Sequence, residues 1–308
     1  MQVIVAAYKT YVLPYYSPLL ANGYFVLTGL LLSMLVLLQN QYGLPGYHHA
    51  AISFVIDYLA LLVPFAGAYL LQYFFYSSHS FYSNKSFWAL VFLAPALFSL
   101  RLHLHMPAQV LTFDEIKLSD TVTLNYVFRS GLLFMLTLML WWITDRKNGT
   151  PFGMGRPPSK HLSLSLFVCM LPLVFAAALL PAFQSMYPKM LHEAGLQWPH
   201  QAGAAVLFEL AYGFDFLSIE FFFRGFLILA FVQYAGMRAI IPAACFYCCI
   251  HLGKPLPEVV SSFFGGIVLG SISYHSKSIW TGFYIHIGIA WAMELLSWLI
   301  HHYPLLPK

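Results

Sequence analysis

Ser218-Ile219-Glu220-Phe221-Phe222-Phe223-Arg224-Gly225 sets a carboxylate and a guanidinium one helical turn apart inside an apolar segment that runs roughly from Ala204 to Tyr234. An unpaired ion in hydrocarbon costs roughly 2.5 to 3.5 kcal/mol even on insertion-based scales, so such residues persist mainly where they pair or line a polar cavity. Glu220 and Arg224 are four apart and can face each other on a helix. Nowhere else does the sequence put two opposite charges so deep, and two histidines, His251 and His286, follow in segments of the same kind.

Outward from that stretch the chain stays apolar. It has 308 residues, 60% hydrophobic and 18% aromatic, with only 8% charged and a mean hydropathy of +0.73, where soluble domains carry about 25% charge. The expected fold class is all-α, a polytopic transmembrane helix bundle. A span needs about 20 apolar residues, which gives about eight or nine spans. They fall near Tyr24 to Leu38, Ala51 to Phe75, Phe87 to Leu102, Tyr126 to Ile143, Leu162 to Phe183, Ala204 to Tyr234, Ala239 to His251, Val259 to Tyr274 and Ile279 to Ile300. The N-terminus has no basic region before its apolar residues, so no cleaved signal peptide is expected.

The clearest break in composition is Asp145 to His161, rich in Arg, Lys, Gly and Pro. It divides an N-terminal membrane part, 1–160, with four spans and no assigned motif, from a C-terminal five-span part, 161–308. Placing this basic loop in the cytoplasm also puts Lys9, Lys85, Arg238 and Lys277 there, with the N-terminus cytoplasmic. The net charge of +4 therefore serves orientation, and no basic patch with interleaved aromatics points to nucleic acid. Gly265-Gly266 and Gly270 form a small-xxx-small pattern for close helix approach. The four cysteines lie in or at the ends of apolar spans, where thiols behave as small hydrophobes.

The chemistry is carried by Glu220, Arg224, His251 and His286, on three separate helices: a general base, a proton relay and donors for an oxyanion. Zinc held by Glu220, His251 and His286 is the alternative, since two His and one Glu make a hydrolytic zinc site; otherwise no cofactor is expected. Asp215, one turn before Ile219, can support the site, Glu209 sits nearer the membrane surface, and Glu294, two turns beyond His286, can share its face.

The order Glu-x-x-x-Arg-Gly, then aromatic-x-x-x-His, then Gly-Gly-x-x-x-Gly followed by Ser278-Ile279-Trp280-x-Gly and an intramembrane His, resembles the CAAX protease and bacteriocin-processing (CPBP, Abi-type) family of intramembrane proteases. The resemblance covers roughly Glu209 to Leu296. It implies hydrolysis of a peptide bond in a membrane-associated or lipidated peptide, within a lipid bilayer, the bacterial inner membrane. By position, Glu220 matches the second glutamate of the family's first motif, Arg224 its arginine, Tyr247 the aromatic, His251 the first histidine and His286 the second. Two positions depart from it: Ile219 stands where the family has its catalytic glutamate, and Ala290 where it has an asparagine that holds the oxyanion. The departures motivate an alternative function, a catalytically impaired pseudoprotease that binds a membrane peptide as an immunity or sorting partner. A proton-coupled transporter would need discontinuous helices in matched halves, and the sequence has none.

Overall fold

The computed structural model describes residues 50–76, 80–106, 118–157 and 160–303, with scattered positions before residue 50. The first expected span lies mostly outside the described residues, as does the loop with Asp114, Glu115 and Lys117. The described elements are all helical. The long ones are α1 (Ala50–Phe75), α2 (Lys85–His103), α3 (Leu118–Thr144), α4 (Lys160–Ala178), α5 (Ala202–Glu220), α6 (Ile240–Cys249), α7 (Leu256–Ser276) and α8 (Trp280–His302).

Six helices among the described residues are long and apolar enough to cross a membrane, against the eight or nine spans expected. The difference has physical causes beyond the unplaced first span. Helix α5 carries three carboxylates, Glu209, Asp215 and Glu220, too many for a lipid-facing span. Helix α6 has ten residues and at 1.5 Å per residue rises about 15 Å, half of a hydrocarbon core of about 30 Å. Helix α6 is enclosed by other helices instead, and α5 buries its second half, up to Glu220, while Val206, Leu207 and Leu210 of its first half stay exposed. All ten residues of α6 are buried.

The outer helices present apolar side chains outward at helical spacing. On α1 these are Val55, Leu59, Val63, Leu70 and Phe74, and on α4 Leu164 and Val168. That is the surface a bundle offers to acyl chains. Helix α2 starts at Asn84, whose side chain accepts hydrogen bonds from the backbone N–H groups of Ser86 and Phe87 and so satisfies two otherwise orphaned donors. Helix α7 stops at Lys277, which adopts a left-handed backbone with φ 55°.

Directly after Glu220 the helix widens into a π-helix over Phe221–Ala230, a form that appears frequently at functional sites. It forms the centre of the aromatic core. Phe98 from α2 lies 5.5 Å from Phe222, and Phe223 lies 5.4 Å from Phe246 of α6. Phe65 of α1 joins at 5.4 Å from Phe246, so early and late helices share one core. Gly266 and Gly270 bring α7 against α6, where an added Cβ would meet Ala244 and Ile240 at 3.1 Å. The basic loop is anchored beneath this core: Phe152 is buried, and the Met154 and Arg156 carbonyls accept from Trp280 Nε1 and Ser278 Oγ, each at 2.7 Å.

Candidate functional site

Helices α2 to α8 line a cavity of about 780 Å³, with Ile219, Tyr247, His251, His286 and Ala290 all on its wall. The two histidines reach it from different elements. His286 lies in the second turn of α8, and His251 lies just past the end of α6, in the turn before Pro255.

His251 has its Nδ1 2.8 Å from the Tyr247 carbonyl. A carbonyl only accepts, so Nδ1 carries the proton of the neutral ring and Nε2 keeps its lone pair. His286 Nδ1 lies 3.0 Å from Glu220 Oε1, which by the same logic makes Nδ1 the donor. Its Nε2 is 2.9 Å from the Tyr247 hydroxyl, which donates to it. Tyr247 thus touches both histidines, one through its hydroxyl and one through its backbone. Phe216, with its ring 4.5 Å from that of His286, holds the imidazole from the α5 side.

Glu220, expected on the cavity beside the histidines, is instead sealed behind His286. Its side chain has no exposed surface and it is absent from the cavity wall, where its neighbour Ile219 stands. The cause is the step of about 100° between successive residues of a helix. Glu220 Oε1 also faces Arg224 Nη1 at 3.4 Å, and the Arg224 guanidinium lies over the Tyr247 ring at 4.5 Å from its centre. Gly282 permits this arrangement, because a Cβ there would overlap Glu220 Oε2.

Asp215 is on the cavity wall, but it is not joined to the histidine cluster. Its carboxylate pairs with Arg101 of α2 and accepts from Ser130 Oγ of α3 at 2.6 Å. Glu294 stands eight residues, about 12 Å, along α8 from His286. It accepts from the backbone N–H groups of Lys189 and Met190, at 2.9 and 3.3 Å, and so ties down the short helix Lys189–His192 rather than the imidazole. Glu209, in α5, is half-buried, with both carboxylate oxygens out of contact with solvent.

Three contributors escaped the sequence argument: Arg101 and Ser130 as partners of Asp215, and Arg129 beside them. A buried acid on α5 demands a counter-charge, and the two arginines in earlier spans were the available signal. Arg129 lies near the middle of α3, with its Nε 3.1 Å from the Arg101 carbonyl. Among the described residues no three His, Cys, Asp or Glu side chains are gathered closely enough for a metal ion. A zinc ion at Glu220, His251 and His286 does not fit the arrangement, since both ring nitrogens of His286 are already bonded and Glu220 is sealed off. Cys245, Cys248 and Cys249 are buried free thiols.

No curated protein and no solved structure matches the chain. Residues 200–292 match the family model described as type II CAAX prenyl endopeptidase Rce1-like. The matched stretch contains Glu220, Arg224, Tyr247, His251 and His286 together with both departures, Ile219 and Ala290. In this integral membrane protein, residues 200–292 are thus similar to the Rce1-like type II CAAX prenyl endopeptidases.

Proposed function

We propose that the chain hydrolyses, at a low rate, a peptide bond in a membrane-embedded or lipidated peptide bound in the cavity, with His251 as the base. The carrying observation is that both histidines open onto one cavity from within the family-matched segment. His251 Nε2 takes a proton from water, whose oxygen attacks the scissile carbonyl, and later returns that proton to the leaving amine. The Tyr247 hydroxyl, turned away from His286 Nε2, donates to the developing oxyanion, with His286 behind it. Glu220 positions His286 by fixing its Nδ1–H tautomer and touches no substrate. Asp215 supports the opposite wall.

The low rate follows from two cavity positions. Ala290 offers no hydrogen bond to the oxyanion, and the loss of one such donor typically costs about 10²- to 10³-fold. Ile219 leaves His251 without a carboxylate partner on the wall, and positioned acid–base groups contribute about 10²- to 10⁴-fold. No step is routed through a metal, so a zinc chelator is expected to leave cleavage unchanged. The C-terminal part, 161–308, carries the hydrolytic residues; the bias of Lys and Arg supports a cytoplasmic side for the loop at 145–160 and the N-terminus, and the family resemblance supports a bacterial inner membrane.

The same two side chains favour a second reading, a scaffold that binds a membrane peptide without cleaving it. The separating experiment restores the family pattern: Ile219→Glu with Ala290→Asn, assayed in nanodiscs against membrane-anchored peptides. Slow cleavage by the native chain, its loss in His251→Ala and a gain of about 10²-fold or more in the double variant support hydrolysis. Binding without product in the native chain and the double variant alike would overturn it in favour of the scaffold.

A further inference from the structure

Away from the cavity, the basic loop and the turn between α7 and α8 meet at one end of the bundle. Ser278 Oγ donates to the Arg156 carbonyl at 2.7 Å, Trp280 Nε1 to the Met154 carbonyl at 2.7 Å and the Ile279 N–H to the Gly153 carbonyl at 3.4 Å. These bonds set Arg156 beside Lys277. The Lys277 ammonium lies over the Tyr274 ring, 4.2 Å from its centre. Burial, and after it the neighbouring Arg156 charge, hold the Lys277 pKa below the usual lysine value, so the two cations repel. The ion pairs formed among the described residues include neither of them. Arg156 is exposed and Lys277 half-buried.

Lys277 follows the last residue of α7 and Trp280 opens α8, and both helices are long and apolar enough to cross a membrane. The junction of two such spans lies at the membrane surface, where Trp and Tyr collect. Trp280 and Tyr284 stand one turn apart on α8 with ring centres at 6.3 Å, and Tyr284 is exposed. We propose that Arg156 and Lys277 hold the phosphate of an anionic phospholipid whose acyl chains run past Trp280 and Tyr284 along α8. A guanidinium meets phosphate oxygens through a planar fork, and an ammonium meets them as a point charge. An anion between the two cations removes their repulsion, and an anionic leaflet supplies one at this depth. The lipid thus clasps the loop that divides the chain to the turn that opens α8. The inference rests neither on peptide binding nor on hydrolysis.

The test titrates the full chain in detergent micelles with phosphatidylglycerol or phosphatidylcholine of the same acyl chains and reads the retained lipid by native mass spectrometry. The native chain is expected to prefer phosphatidylglycerol by about 30-fold, from about fivefold for each of two cations facing an anionic lipid. Arg156→Gln and Lys277→Asn are each expected to lose about fivefold and together to remove the preference, with Arg156→Lys keeping part of it. Asparagine tolerates the left-handed backbone at Lys277, φ 55°, and the bond that anchors the loop at Arg156 is made by its carbonyl, so both single variants keep the fold. Arg146→Gln with Lys147→Gln removes the same charge from the exposed part of the loop and is expected to leave the preference intact. Equal retention of the two lipids by the native chain, or a preference unchanged in Arg156→Gln, overturns the site. An equal loss in the Arg146 and Lys147 variant reduces the effect to the overall charge of the loop and also overturns it. Inorganic phosphate that raises the melting temperature through Arg156 and Lys277, without any preference between the lipids, assigns the pair to a soluble phosphate and overturns the lipid.

Discussion

Asp215 and Glu220 sit five residues apart on α5, about 140° apart around its axis at 100° per residue, and their surroundings differ accordingly. Asp215 looks onto the cavity and takes its partners, Arg101 and Ser130, from α2 and α3. Glu220 looks away from it, bonded to Arg224 one turn on and to His286 of α8, with no surface left exposed. One carboxylate balances charge on a wall that a ligand can reach. The other holds a histidine from behind. The difference teaches that an intramembrane charge is not by itself a catalytic group, because the face of the helix decides whether it acts on the ligand or on another side chain.

The sharpest way to break this comparison is to remove each acid in turn. Glu220→Ala leaves the Arg224 guanidinium buried without a counter-ion, and breaking a buried pair from one side costs about 3 to 5 kcal/mol. Thermal unfolding in detergent is expected to show that loss, and the paired change Glu220→Leu with Arg224→Met to recover most of it. Asp215→Ala is expected to destabilise less, since its arginine borders the cavity. A larger loss for Asp215→Ala than for Glu220→Ala would invert the assignment of the two carboxylates.

Two glycines give the next test. A Cβ at Gly282 would overlap the sealed Glu220 carboxylate, whereas at Gly213 it would meet the ends of Ile287 and Trp291 at 3.0 and 3.2 Å. Both sit within helices, so alanine is otherwise favoured there by about 1 kcal/mol. Gly213→Ala is expected to be near neutral, because those side-chain ends can shift. Gly282→Ala has to displace Glu220 from His286, an overpacking cost of about 1 to 3 kcal/mol, and to lower cleavage with it. Equal melting temperatures for the two variants would mean that Glu220 is free to move.

The bundle was legible from composition; the position of Glu220 off the cavity contradicts the role expected for it, although the 100° step from Ile219 was the signal available. The number of spans was not, because a window of apolar residues scores α6 as it would a full crossing, although its ten residues rise only half the hydrocarbon depth. Nor was the pairing of Asp215 with Arg101, which lies 114 residues away. Contacts between distant spans leave no period in the sequence, whereas Glu220 and Arg224, four apart, announce theirs. Glu294 illustrates a third limit. Helical spacing placed it on the face of His286, but the partner it meets, the backbone of Lys189 and Met190, comes from a connecting segment that no periodicity describes.

A small effect on stability is also expected at Tyr247, and there stability and activity should separate. Tyr247→Phe removes the hydroxyl that donates to His286 Nε2 but keeps the ring beneath Arg224 and the carbonyl that orients His251. A single hydrogen bond contributes about 0.5 to 1.5 kcal/mol, so the melting temperature should fall only slightly. If the hydroxyl also stands at the oxyanion, cleavage should fall by about 10²-fold, expressed in kcat rather than KM because the donor acts only as charge develops. A fall confined to KM would make Tyr247 a wall that shapes binding. An unchanged kcat with the expected small loss of stability would leave its hydroxyl, like Glu220, as a group that acts only by holding His286.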